Sequence, residues 1–145
     1  MKFSDFDEPR WQEVGSYYDT CLLPVTGLSG EEPPWMATAA LEQLRDLLDA
    51  VELPFKGRVV TYPALHYVPQ NGALQHLEAV AGSLKRAGFR YVVAALRQPF
   101  SEAEAGVIES VDEAIYLTEL ERVAPDQRKA ELQAKITAMW GRQHS

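Results

Sequence analysis

The run Thr26-Gly27-Leu28-Ser29-Gly30 is the first place in this chain where residue types and spacing could do chemistry. It lies between an apolar stretch and a helical one, where free backbone N–H groups and the helix dipole can hold an anion. Two features weigh against that use. Glu31 and Glu32 bring negative charge to the same turn, and neither Gly-x-x-x-x-Gly-Lys nor Gly-x-Gly-x-x-Gly is present. The competing account is a plain strand-to-helix turn that uses glycine for its backbone freedom. A serine nucleophile would want a strained Gly-x-Ser-x-Gly turn, and Gly27-Leu28-Ser29-Gly30 falls one residue short.

His66 and Tyr67 follow a second apolar run, and Arg97 and Gln98 follow a third. His66, flanked by Tyr62 and Tyr67, is either a general base or a hydrogen-bonded loop residue, and the second is the commoner state of such a histidine. Arg97 is an anchor for an anionic ligand. His66 and His76 stand ten residues apart with no cysteine or further histidine near them. Zinc sites draw on closer pairs, so no metal site, cofactor or catalytic set emerges. Cys21, the one cysteine, sits inside an apolar run and reads as a small core hydrophobe.

The elements that must position these residues follow from periodicity. Apolar runs at 19–25, 58–65, 90–96 and 113–118 each lead into a helical pattern. Alternation of this kind implies parallel strands joined by helical crossovers. The expected fold is α/β: a three-layer α/β/α sandwich with a four-stranded, mainly parallel sheet in the flavodoxin-like order 2-1-3-4. The helices after strands one and three are expected on one face. Pro24 in the first strand marks a place where the ladder ends or is redirected. Met36, Ala40, Leu44, Leu47 and Val51 form one helical stripe, and Leu74, Leu77, Ala81 and Leu84 another, capped by Gly88. Ser101 and Glu104 form a capping box. Ala130, Ile136 and Trp140 are the expected anchors of a last helix opening near Pro125. Residues 113–118 fit strand better than helix, although Ser110-Val111-Asp112-Glu113 resembles a cap. A lead-in at 1–18, helical over 9–17, is expected to pack on a single domain spanning 1–145, with Trp11, Val14 and Tyr17 or Tyr18 inward.

The composition narrows the function classes. The formal charge is −7, so nucleic acid, which is held by Lys and Arg, is excluded as a partner. No stretch reaches the roughly 18 consecutive apolar residues of a spanning helix, so membrane insertion is not expected. The acidic, aromatic-rich start lacks the apolar core of a signal peptide, and with a lone cysteine a cytoplasmic location follows. Acids crowd residues 102–121, either as a solvated face or as a surface for a basic partner. A fourth strand at the sheet edge would invite pairing or self-association.

Three blocks of the chain resemble a known family. Tyr18-Asp19-Thr20-Cys21-Leu22-Leu23-Pro24, then Phe55-Lys56-Gly57-Arg58-Val59 with Tyr62-Pro63-Ala64-Leu65-His66-Tyr67, then Gly88-Phe89-Arg90-Tyr91-Val92, are similar to the YpiF-like proteins. These are uncharacterised cytoplasmic proteins of spore-forming Gram-positive bacteria, a domain of unknown function, so the resemblance implies no activity. The Thr-Gly-x-Ser run is similar to the phosphate loop of flavodoxins, with Pro24 where a hydroxyl residue would stand. Leu22-Leu23-Pro24-Val25 and Val59-Val60-Thr61-Tyr62-Pro63 resemble the first two strands of creatininase-type amidohydrolases. Residues 27–34 offer none of their metal-binding histidines.

The expected function is a non-catalytic accessory or protein-interaction domain, acting through a protein partner or self-association. The alternative is a site for a small anionic metabolite built from Thr26, Gly27, Ser29, Gly30, His66, Tyr67, Arg97 and Gln98. A degenerate hydrolase-like fold comes third.

Overall fold

The computed structural model describes residues 1–66, 73–97 and 108–142. Tyr67, Gln98 and the Ser101–Glu104 cap lie outside them. Helix α1 (Glu8–Val14) is followed by a 3-10 turn at Gly15–Tyr17. Then come β1 (Thr20–Pro24), α2 (Pro34–Glu52), β2 (Val59–Thr61), α3 (Ala73–Arg86) and β3 (Tyr91–Leu96). β4 (Glu113–Tyr116), the short α4 (Leu117–Leu120) and α5 (Arg128–Gly141) complete the described order.

The four strands form one sheet in the order β2-β1-β3-β4, and every pairing is parallel. β1 and β3 lie inside the sheet, and every residue in both is buried. Their nearly continuous apolar character, broken at Thr20, therefore reflects helices on both faces, not strand propensity alone. One side packs Leu22, Val93 and Ile115 against Leu44, Leu47 and Val51 of α2 and Leu132, Ile136 and Met139 of α5. The other side packs Cys21, Leu23, Val60 and Val92 against Leu77, Ala81 and Leu84 of α3, with Phe3, Phe6, Trp11 and Val14 alongside.

The distribution of helices corrects one expectation. α2 shares its face with α5, which follows β4, and not with a helix after the third strand. The step from β1 to β2 runs one way across the sheet, and the next two steps run the other way. Right-handed crossovers then place α2 opposite both later connections. Ile108 and Val111, at the described end of the β3–β4 connection, accordingly pack on the α3 side. Two anchors also change. Met36 and Ala130 face outward, because each stands in the first turn of its helix, ahead of the first buried residue, Ala40 in α2 and Leu132 in α5. The buried positions of α5 are Leu132, Ile136 and Met139.

The end of α3 matches the glycine reading. Gly88 N–H donates to the Lys85 carbonyl and Phe89 N–H to that of Leu84, the paired bonds of a Schellman cap. At β1 the proline has a defined effect. Thr20, Leu22 and Pro24 point their backbone polar groups toward β2, as Tyr62 N–H donates to the Leu22 carbonyl. The next rung would need an N–H at Pro24, which has none. The ladder skips a residue, and Leu65 rather than Ala64 donates to the Pro24 carbonyl at 2.8 Å. This one-residue bulge brings Val25 opposite Leu65.

Candidate functional site

Parallel strands gather their carboxyl ends on one rim, and the loops after β1 and β2 meet there. Thr26 N–H donates to the Leu65 carbonyl at 2.8 Å. That bond sets His66 directly beside Thr26, with Oγ1 and Nδ1 2.8 Å apart. The hydroxyl also accepts from Leu28 N–H at 3.2 Å. Thr26 is 1% exposed, so its oxygen is out of reach of a substrate. A hydroxyl beside an imidazole has the form of an activated nucleophile. Here the pair instead staples two loops together.

The next residues form a small anion cradle. Gly27 (φ +72°) and Gly30 (φ +98°) adopt left-handed backbone that side chains resist. Their turns aim successive N–H groups inward. The anion in the cradle is the chain's own Glu32. Ser29 N–H lies 3.0 Å from each carboxylate oxygen, Gly30 N–H donates to Oε1 at 3.0 Å, and Ser29 Oγ donates to Oε2 at 3.2 Å. The Ser29 amide foremost, with the Glu32 and Gly30 amides, holds this carboxyl down at about 2. By sequence Glu32 is only a repulsive neighbour of the turn. A Ser with an acid three residues later was the available signal.

Arg97 follows the last residue of β3, and its carbonyl accepts from Thr118 N–H at 3.0 Å. Its exposed guanidinium makes no hydrogen bond or ion pair with a described residue. The structure thus brings Thr26, Gly27, Ser29, Gly30 and His66 together, and puts Arg97 on the same rim with no hydrogen bond or ion pair to them. Tyr67 and Gln98 lie outside the described residues. Trp35, in the first turn of α2, was missed. It is 73% exposed, and Met36 beside it is 55% exposed.

Other titratable groups serve the fold. Burial pushes the Cys21 thiol up to about 12, which makes it an inert core group. His76, in the first turn of α3, lines a cleft with Phe3, Trp11, Tyr62 and Phe89. Among the described residues, no group of three or more His, Cys, Asp or Glu is placed to hold a metal ion. No described helix is long and apolar enough to cross a membrane.

No curated protein and no solved structure matches the chain. One family model does, over residues 10–137, and it spans all four strands and both central loops. The chain therefore belongs to the family described as "Protein of unknown function (DUF2487)".

Proposed function

We propose that the chain is a non-catalytic protein-interaction domain. The observation that carries this reading is the contrast at the rim. Trp35 and Met36 are displayed to solvent, whereas Thr26, His66 and the Ser29–Gly30 amides are spent on holding loops. Exposed tryptophan is uncommon on a free surface and common at interaction hot spots. A cytoplasmic location and kinship with the YpiF-like proteins of spore-forming bacteria belong to the same reading, and the sequence resemblance supports them.

The test is recovery of a stoichiometric partner by the tagged full chain from native lysate, compared with Trp35→Ala. Wild type should retain the partner and Trp35→Ala should lose most of it. Equal recovery by both would overturn the reading.

A second reading has its own observation. Arg97 offers a guanidinium on the rim that no described residue engages, suited to an anionic metabolite. It requires that nucleotides, sugar phosphates or flavin mononucleotide raise the Tm and that Arg97→Ala cancels the rise. No shift with any of them removes it.

A further inference from the structure

We propose that the outward face of α2 docks a basic, amphipathic segment of a partner protein. The inference rests on the interaction-domain reading and names the chemistry of its partner. At 100° per residue, Trp35 and Leu53 fall on one line, five turns and about 27 Å apart. Glu42, Asp46 and Asp49 lie within about 40° of that line. The opposite side of the helix carries Ala40, Leu44, Leu47, Leu48 and Val51, all buried in the core. The outward face thus has an aromatic anchor at one end, an aliphatic one at the other, and three carboxylates between.

Both kinds of group are exposed. Trp35 is 73% and Leu53 56% exposed, and Glu42, Asp46 and Asp49 are exposed as well. None of the three carboxylates makes an ion pair or side-chain hydrogen bond with a described residue. Other acids of this chain do find partners: Asp19 pairs with Arg58, Asp112 with Lys85 and Glu113 with Arg142. Between Trp35 and Leu53 the sequence carries one base, Arg45.

Charge selects the occupant. A second copy laid across this face would set the acid line against its own equivalent, and like charges in contact disfavour that pairing. Nucleic acid and anionic lipid surfaces are repelled for the same reason. A partner helix with Lys or Arg along one stripe and apolar residues at its ends matches the acid line and both anchors. Opposed charge here would raise the association rate and make binding salt-dependent.

The probe is a synthetic peptide of Lys and Leu at amphipathic helical spacing, titrated into the isotopically labelled full chain. Its control is the same peptide with Glu in place of Lys. Backbone NMR shifts should move along residues 35–53 with the Lys peptide only, and the apparent Kd should rise with salt. The variant E42Q/D46N/D49N and the variant Trp35→Ala should each weaken binding at least tenfold, with unchanged circular dichroism. No binding, shifts confined to another face, or equal affinity for E42Q/D46N/D49N would overturn the proposal. Partner recovery from lysate separates the two readings. If Trp35→Ala loses the native partner and E42Q/D46N/D49N keeps it, the interaction domain stands and the basic partner falls. If neither variant changes recovery, both fall.

Discussion

Glu32 shows how one carboxylate can occupy a place that the backbone prepared for an anion. Its folded pKa of about 2 lies below the ordinary value of 4.5, because donors favour the charged form. The sign of the linkage follows. The stabilisation is fully present above pH 4.5 and is lost as pH falls toward 2. Glu32→Gln should flatten that acid-side fall in a series of urea denaturations and lower stability at pH 7. Emptying the cradle with Glu32→Ala should let inorganic phosphate raise the Tm, an effect absent in wild type. This contact was not legible from the residues alone. Propensity and composition describe Glu31 and Glu32 as charge at a helix entrance, and only the left-handed turns at Gly27 and Gly30 show which of the two folds back.

Elements were more legible than contacts, for a physical reason. Stripes such as Leu74, Leu77, Ala81 and Leu84 repeat with the helix period, and all four are buried. β1 and β3 announce themselves as continuous apolar runs because both their faces are covered. β4 is shorter than its run. Pairing stops at Tyr116, and Leu117–Leu120 turns into helix, burying Leu120 beneath α2 and α5. The seat of the last helix was hidden, since its partners lie far apart in sequence. Trp140 Nε1 donates to Thr20 Oγ1 at 2.9 Å, and that hydroxyl donates to Asp19 at 2.9 Å. Asp19 takes both arms of Arg58, at 2.9 and 3.1 Å, and the guanidinium sits 3.7 Å from the centre of the Trp140 ring. The ring of contacts closes on itself. Lysine cannot reproduce the fork or the stacking, so Arg58→Lys should cost about 1 kcal/mol in urea denaturation at low salt.

For the whole molecule, the sheet is a partition between two apolar clusters, one under α2 and α5 and the other under α3 and the N-terminal aromatics. Ile136 and Leu77 are buried on opposite sides of it. Ile136→Val should cost about 0.5–1.5 kcal/mol and Leu77→Ala about 2–5 kcal/mol. Because neither side chain shares a cluster with the other, the double variant should match the sum within about 0.5 kcal/mol. A larger discrepancy by chemical denaturation would mean that strain crosses the sheet. The same partition shows why the second cluster was only half read. Trp11, Val14 and one of Tyr17 or Tyr18 are expected inward, and Trp11, Val14 and Tyr18 pack there while Tyr17 stays exposed, but Phe3 and Phe6 precede any periodic segment. Phe3 meets Tyr62 edge-on at 5.0 Å, and Phe6 meets Tyr18 at 5.2 Å. Lys2 also lies against Thr61 on the free side of β2, as an added rung.

The imino acid at position 24 sets the phase of everything beyond it. Were an amide hydrogen restored there, Tyr62 could be answered in ordinary step and Ala64 would inherit the bond that Leu65 now makes. His66 would then arrive one position out of step, its imidazole displaced from the threonine it now meets. A missing atom at the carboxyl end of an inner strand thus bears on which side chain greets solvent beyond it.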